Sequence, residues 1–515
     1  MTSDRVAAAV ALAVALTLGV VAWSWRTGAV GGSDSACYAL MAQVFAQGHL
    51  QPTSRLALAA PWPDPSRVAA PAGFLPSTAT PGASVPVCAP GYSLLLAPLV
   101  RVMGPVAVHV VPPLAAAWLV WLAFLLARRL HSAWAGVGAA ALVAVNPVVL
   151  FQAVQPMTDI TTSAVWLAAA ATALAARPLA TGWIVGLGVL IRPNLAPAGA
   201  VALLAVVWMS VRPFTAGWWP RALRAGLVAG AATAPGVGAA LALNAALYGS
   251  PFQSGYGDLG VLFAAAHVPV NLRHYGYTWL MTSPLALLAC AAPWLVPRER
   301  RVEVWALVLL AGGVSVVYLA YRPFPEWWYL RFLLPAVALT LVLAAASLSA
   351  LVTRLRPVLA VPVVVLAVAG TAGWARGSSE GRDALGLQAL ESRFPLAAGV
   401  VADRLPPAAV AITVWQSGGL RFWPGREVVV WDALDPAWLD RGIAWLSGHE
   451  QPPVIVIEQW EEEGFRRRFT GQSYGALDWP PRYAVDRRVR IYVPDDRERY
   501  LRGEPVKTET VFAPR

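Results

Sequence analysis

Run after run of this chain goes about 20 residues with almost no charge, and arginines fill the gaps between runs. In lipid every backbone N–H and C=O must be paired within the segment, so such runs fold as spanning helices. They lie at 6–25, 111–130, 134–153, 160–176, 181–192, 195–211, 225–247, 279–297, 302–320, 331–352 and 357–375, predicting about eleven transmembrane helices. The run at 181–192 is short for a span. At 57% hydrophobic and 13% charged, with mean hydropathy +0.57, the chain lies outside the soluble range. A cleaved leader is the competing reading of the first run. No clean small-residue site precedes Trp23 and Trp25, and more apolar runs follow, so a retained helix is expected.

The net charge of +11 is almost all arginine; Lys507 is the single lysine. Dispersed between apolar runs, the arginines read as topology signals rather than a nucleic-acid surface, and no nucleic-acid partner is expected. Alternate loops hold Arg128 and Arg129; Arg177; Arg212, Arg221 and Arg224; Arg298, Arg300 and Arg301; Arg354 and Arg356. The intervening loops are poorer. With Arg5 in the cytoplasm, the first loop (26–110) and the chain after Trp374 emerge outside. Ala, Val, Arg, Pro and Trp exceed Lys, Ile and Asn, which points to a GC-rich bacterial genome and hence the cytoplasmic (inner) membrane. Cys37 and Cys88 bracket the first loop and are open to pairing if it faces an oxidising compartment; Cys290 lies in a membrane helix. No zinc spacing is present.

Within the first loop, residues 90–104 are apolar but too short to span, and read as an interfacial helix. Residues 1–375 therefore read as a membrane domain and 376–515 as a small extracytoplasmic α/β domain. The latter has strand-like runs at 409–415, 427–431, 453–458 and 488–493 and helical patterns near 381–404, 435–447 and 459–468.

The polar residues that topology does not explain fall at one face of the membrane. Asp34 opens an amphipathic stretch, GGSDSACYALMAQVFAQGHL, and reads either as a helix cap or as a general base. QPMTD ends in Asp159, and RPN begins with Arg192. The loop 248–278 carries Tyr256, Asp258, His267, Arg273, His274 and Tyr275, and YRPFPEWWYLRF carries Arg322, Glu326 and Arg331. Arginines with aromatics suit an anionic ligand, since guanidinium binds phosphate bidentately and keeps its charge. A carboxylate on the same face suits a base that activates a hydroxyl. There is no Walker loop, GxGxxG, HExxH or nucleophile elbow, which disfavours a nucleotide-driven enzyme or a protease.

SDSACYALMAQVFAQGHL, PGYSLLLAPL, ARRLHSAWAG, QPMTDI, IRPNLAP and YLRFLLPA occur in that order. Over residues 1–375 the chain resembles the GT-C glycosyltransferases, similar to bacterial relatives of the protein O-mannosyltransferases and of the lipid A aminoarabinose transferase. The resemblance implies transfer of a sugar from a polyprenyl-phosphate donor to a lipid, polysaccharide or protein acceptor, with membrane lipids around the site. It implies a catalytic acid in the first outer loop, which is Asp34 here. Many relatives have a second acid next; Ser35 stands there instead, which weakens the case for a divalent metal and leaves no cofactor certain.

The expected roles follow. Asp34 is the general base. Arg331 and Arg192, with Arg55 and His49, contact phosphate, and Arg331 is preferred over Arg322. Asp159 contacts the acceptor, holds the first loop or caps a helix. Glu326 pairs with Arg331 or takes part in catalysis, and His274 and Tyr275 line the sugar. The alternatives are a non-catalytic lipid-binding or assembly protein on the same scaffold, and a secondary transporter.

Overall fold

The computed structural model describes residues 3–354 and 357–512. Arg356, one of the topology arginines, lies outside the described residues. The chain is a mostly helical, multi-pass membrane protein with a sheet-containing C-terminal part. Its contacts group it into two compact units without a single division near residue 375. The membrane unit is 1–26, 109–242 and 258–387, and the outer unit is 27–108, 243–257 and 388–515.

In the membrane unit, six described helices are long and apolar enough to cross a bilayer, or up to eight if two bent pairs each count as one span. Helices of 16 and 14 residues, Asp159–Leu174 and Pro178–Ile191, are apolar but shorter. The helix Leu334–Val352 is the centre of the bundle, buried along nearly its whole length. Small residues let neighbours close in. A Cβ on Gly182 or Gly186 would meet the backbone of Ala229 or Thr233 in the helix Trp218–Tyr248, the spacing that membrane helix pairs use.

Two expected spans are broken. The run at 134–153 is two helices, Ala133–Ala144 and Pro147–Ala153, bent by 64°. Asn146 makes the break: its Oδ1 accepts from the backbone N–H groups of Val148 and Val149, and its Nδ2 donates to Thr282 O and Ser283 Oγ. The run at 279–297 is bent by 104° between Ala265–Thr282 and Pro284–Leu295, where Pro284 removes a helical donor. The same helix corrects the expected loop: residues 268–278 are helical, beginning Val268–Pro269 with proline in the first turn.

The outer unit holds the helix Asp34–Ala46, a hairpin of β1 (Phe74–Pro76) and β2 (Ser84–Pro86), and the helix Gly91–Met103. Cys37 and Cys88 form a disulfide. Beside it, Tyr38 and Tyr92 meet edge to face at 5.6 Å, and Ser93 Oγ donates to Tyr38 O at 2.9 Å, so the two helices pack as a pair. The C-terminal sheet comprises β3 (Val410–Ile412), β4 (Val428–Val429), β5 (Pro453–Glu458), β6 (Tyr483–Val485), β7 (Val489–Tyr492) and β8 (Glu509–Val511). Their order is β4-β3-β5-β7-β6-β8, with β3 parallel to β4 and β5, β7 antiparallel to β5 and β6, and β8 parallel to β6. Side chains alternate between two faces. Ala411, Val454 and Val456 pack under the helix Arg393–Arg404, whereas Val410, Ile412, Ile455 and Ile457 pack against Leu56, Trp62 and Val68 of the first loop. The first loop thus completes the core of the C-terminal sheet.

Candidate functional site

The membrane unit gathers four of the expected residues, Asp159, Arg192, Arg331 and Tyr275. The helix Pro178–Ile191 stops at Arg192, because Pro193 cannot continue its hydrogen bonds. A cation there is favoured by the negative end of the helix dipole. Arg192 Nη1 donates to Asp159 Oδ1 at 2.6 Å, with the carboxylate side chain 1% exposed and the guanidinium 12%. Asp159 is the first residue of its own helix, at the positive end, so both dipoles support the pair. Thr158 is the N-cap, and no side-chain cap bond forms there; the carboxylate holds Arg192 instead.

Arg331 lies three residues before the helix Leu334–Val352, on the 3-10 turn Trp327–Leu333 rather than in the helix itself. Its guanidinium is 5.2 Å from the Phe332 ring centre and 5.1 Å from Tyr329, with Nη1 4.0 Å from Met157 Sδ. Arg192 approaches the same Phe332 ring at 5.5 Å and Tyr318 at 5.8 Å. Two guanidiniums therefore share one aromatic ring, with cation–π attraction on each. Around them Tyr318 stacks on Phe332 at 5.1 Å and Phe324 on Tyr329 at 4.2 Å. Asn194 Nδ2 donates to Tyr318 Oη at 3.0 Å, and Asn271 Nδ2 donates to the carbonyls of Tyr318, Leu319 and Tyr321. These bonds close the open end of the helix Arg301–Leu319. Tyr275 is buried within electrostatic reach of Arg331, Tyr318 and Tyr321, and its hydroxyl has no hydrogen-bond partner among the described residues. Such a cluster of guanidiniums and aromatic rings suits an anion with several oxygens.

Met157, Asn194, Asn271, Tyr318, Tyr329 and Phe332 were not singled out in the sequence. Met157, Asn194, Tyr329 and Phe332 stood inside quoted motifs; for Tyr318 and Asn271 no local signal exists. Glu326 is half-buried and, among the described residues, forms no ion pair with Arg331, because the 3-10 turn carries Arg331 toward Met157 and Phe332. Arg322 is exposed, its backbone N–H bonded to Leu262 O. His274 is half-buried beside Tyr275, ring centres 5.7 Å apart, and its enclosed Nε2 is unpartnered among the described residues.

In the outer unit Asp34 is the first residue of its helix and half-buried; Ser33 is the N-cap and makes no side-chain cap bond. The bend before it is clasped on several sides. Gly32 has φ +63°, within the left-handed region glycine tolerates. A Cβ on Gly31 would collide with the Phe394 ring, one on Gly73 with Ser33 O, and one on Gly418 with Ala36. His49 and Arg55 are exposed in the same unit; Arg55 caps the helix Leu56–Ala59, and its N–H lies 3.5 Å from Glu427 Oε1.

Asp34 is followed by Ser35, and among the described residues no three His, Cys, Asp or Glu side chains gather.

No protein-family model matches the sequence, and no curated protein matches it. Solved structures do. ArnT from Cupriavidus metallidurans matches in its apo state with TM-score 0.52 and 16% identity, over 88% of this chain and 94% of that one. The same protein bound to undecaprenyl phosphate gives 0.51 and 16%, over 89% and 94%. The oligosaccharyltransferase of Archaeoglobus fulgidus in its apo form gives 0.51 and 14%, over 91% of this chain and 71% of that one. The chain has the GT-C fold. In this fold the arginine pair and its aromatic surround lie wholly within the membrane unit, and Asp34 within the outer unit.

Proposed function

We propose that this chain transfers a sugar from a polyprenyl-phosphate donor to an acceptor hydroxyl on the extracytoplasmic face of the membrane. The observation that carries the reading is the pair of guanidiniums, Arg192 and Arg331, about the Phe332 ring in a buried aromatic surround. The fold agrees, and one structure that shares it holds undecaprenyl phosphate. The Cys37–Cys88 disulfide supports an oxidising compartment for the first loop.

In the proposed reaction Asp34 takes the proton of the acceptor hydroxyl as its oxygen attacks the anomeric carbon. The bond from that carbon to the phosphate oxygen breaks, and the phosphate leaves with the electron pair. Arg331 and Arg192 stabilise its charge, a role for preorganised cations in a water-poor site. Asp159 keeps Arg192 aimed, and the Tyr275 hydroxyl offers a donor to the sugar or phosphate. A single displacement inverts the anomeric centre. His49, Arg55, Arg322, Glu326 and His274 have no step in it.

Ser35 in place of a second acid favours one other reading, a non-catalytic lipid-binding protein on the same scaffold. Membranes carrying wild type, Asp34→Asn or Arg331→Gln, supplied with radiolabelled polyprenyl-phosphate sugars, separate the two. Wild-type transfer that falls at least roughly 100-fold in a normally inserted Asp34→Asn supports the enzyme. Equal transfer by Asp34→Asn removes it as the base; no transfer with any donor favours the non-catalytic reading.

A further inference from the structure

The helix that carries Asp159 at one end borders a cavity at the other, about 20 Å away along its axis. The cavity has a volume of about 810 Å³. Trp118, Leu122 and Leu125 form an apolar wall, and Arg128, Arg129, Arg177 and Arg300 line its polar side. A second hollow of about 540 Å³ adjoins it, sharing Arg129 and Arg177 and adding Arg212.

The two carboxylates nearby do not neutralise this group. Glu303, its side chain 3% exposed, is spent on two arginines: Arg129 Nε at 3.0 Å and Arg300 Nη1 at 2.9 Å. Glu299 lines both hollows but is exposed and, among the described residues, forms no ion pair, so it offsets one charge of the five arginines. Arg128, Arg177 and Arg212 are exposed and have no carboxylate partner among the described residues. Arginines that only set topology need no particular arrangement. Here a buried glutamate fixes two of them, and the rest surround two joined hollows beside an apolar wall.

We propose that these hollows bind an anionic phospholipid of the surrounding leaflet. Its phosphates lie among Arg128, Arg177 and Arg212, and an acyl chain lies along Trp118 and Leu122. Guanidinium pairs with phosphate bidentately, and basic pockets between membrane helices suit such headgroups. Two hollows joined through Arg129 and Arg177 fit a headgroup with two phosphates better than one with a single phosphate. The apolar wall favours a lipid over a purely aqueous anion. The site is independent of the transferase reading.

The test uses the full chain in phosphatidylcholine nanodiscs with or without added cardiolipin. Bound lipid is measured by mass spectrometry after detergent purification, and melting is followed by tryptophan fluorescence. Wild type retains cardiolipin and melts higher when it is present, while Arg128→Gln/Arg177→Gln retains about tenfold less and loses the rise. Arg273→Gln, an exposed arginine outside the cavity, behaves as wild type. Both substituted side chains are exposed, and the single variants show intermediate retention if the double one inserts poorly. Equal retention by Arg128→Gln/Arg177→Gln overturns the proposal. So does an equal melting rise from inorganic phosphate in pure phosphatidylcholine discs, which would make this a free-anion site.

Discussion

The Asp159–Arg192 pair shows why two residues that read separately in the sequence act as one. The carboxylate is buried and the guanidinium largely so, and each offsets the other's charge. Asp159→Asn removes the buried carboxylate that Arg192 donates to and is expected to cost about 3–5 kcal/mol. Adding Arg192→Gln should recover part of that loss, a coupling read from denaturation of the purified protein in detergent; strict additivity would show that the pair contributes no coupling. In the outer unit Glu458 and Glu461 cap one turn reciprocally, Glu461 Oε2 accepting from Glu458 N–H at 2.9 Å. Burial pushes the Glu461 carboxyl up to about 7 from 4.5. The folded state therefore holds this proton where the unfolded chain has released it. That contribution is full below about pH 4.5 and is lost as pH rises toward 7. Glu461→Gln should flatten this part of the melting profile over that window; an unchanged slope would assign it to other groups.

At the scale of elements, hydropathy placed most helices correctly but not the breaks in two of them. An apolar run carries no mark that Asn146 will cap the next turn while donating to Thr282 and Ser283, because those partners lie far along the chain. The helix 268–282 was missed for the opposite reason. His, Arg, Asn and Tyr make it look like a loop, yet Asn271 is buried on the carbonyl end of another helix. Strands β6 and β8 are three residues each and too short to stand out. The disulfide joins the start of one first-loop helix to the segment before the next, across 51 residues. By loop closure alone Cys88→Ser should cost up to about 4 kcal/mol, less any structure left in the unfolded chain. Reduction of the wild type should reproduce the lowered melting temperature; no change under either treatment would mean that helix packing alone holds the pair.

Across the whole molecule, the outer unit is assembled from three separate stretches of chain. The burial of Trp62 and Val68 among residues of the C-terminal sheet explains why the first loop and the last part of the chain fold together. Topology remains open to a direct test, because Lys507 is the single lysine and is exposed. A membrane-impermeant amine reagent applied to intact cells or spheroplasts should label the peptide containing Lys507. Labelling only after the membrane is opened would put the outer unit in the cytoplasm and remove the proposed extracytoplasmic chemistry.

The sequence by itself determined the membrane character, the positions of most helices and the motifs that hold Asp34, Asp159, Arg192 and Arg331. Those follow from local hydropathy, charge and proline, which act within a few turns. Only the tertiary structure decided that Asp159 holds Arg192 rather than capping its helix, that Arg331 shares the Phe332 ring with Arg192, and that Glu326 stands aside. It also decided that Phe394 and Gly418 clasp the bend before Asp34. These are contacts between residues tens to hundreds of positions apart. Their energies depend on burial and geometry that no local pattern encodes.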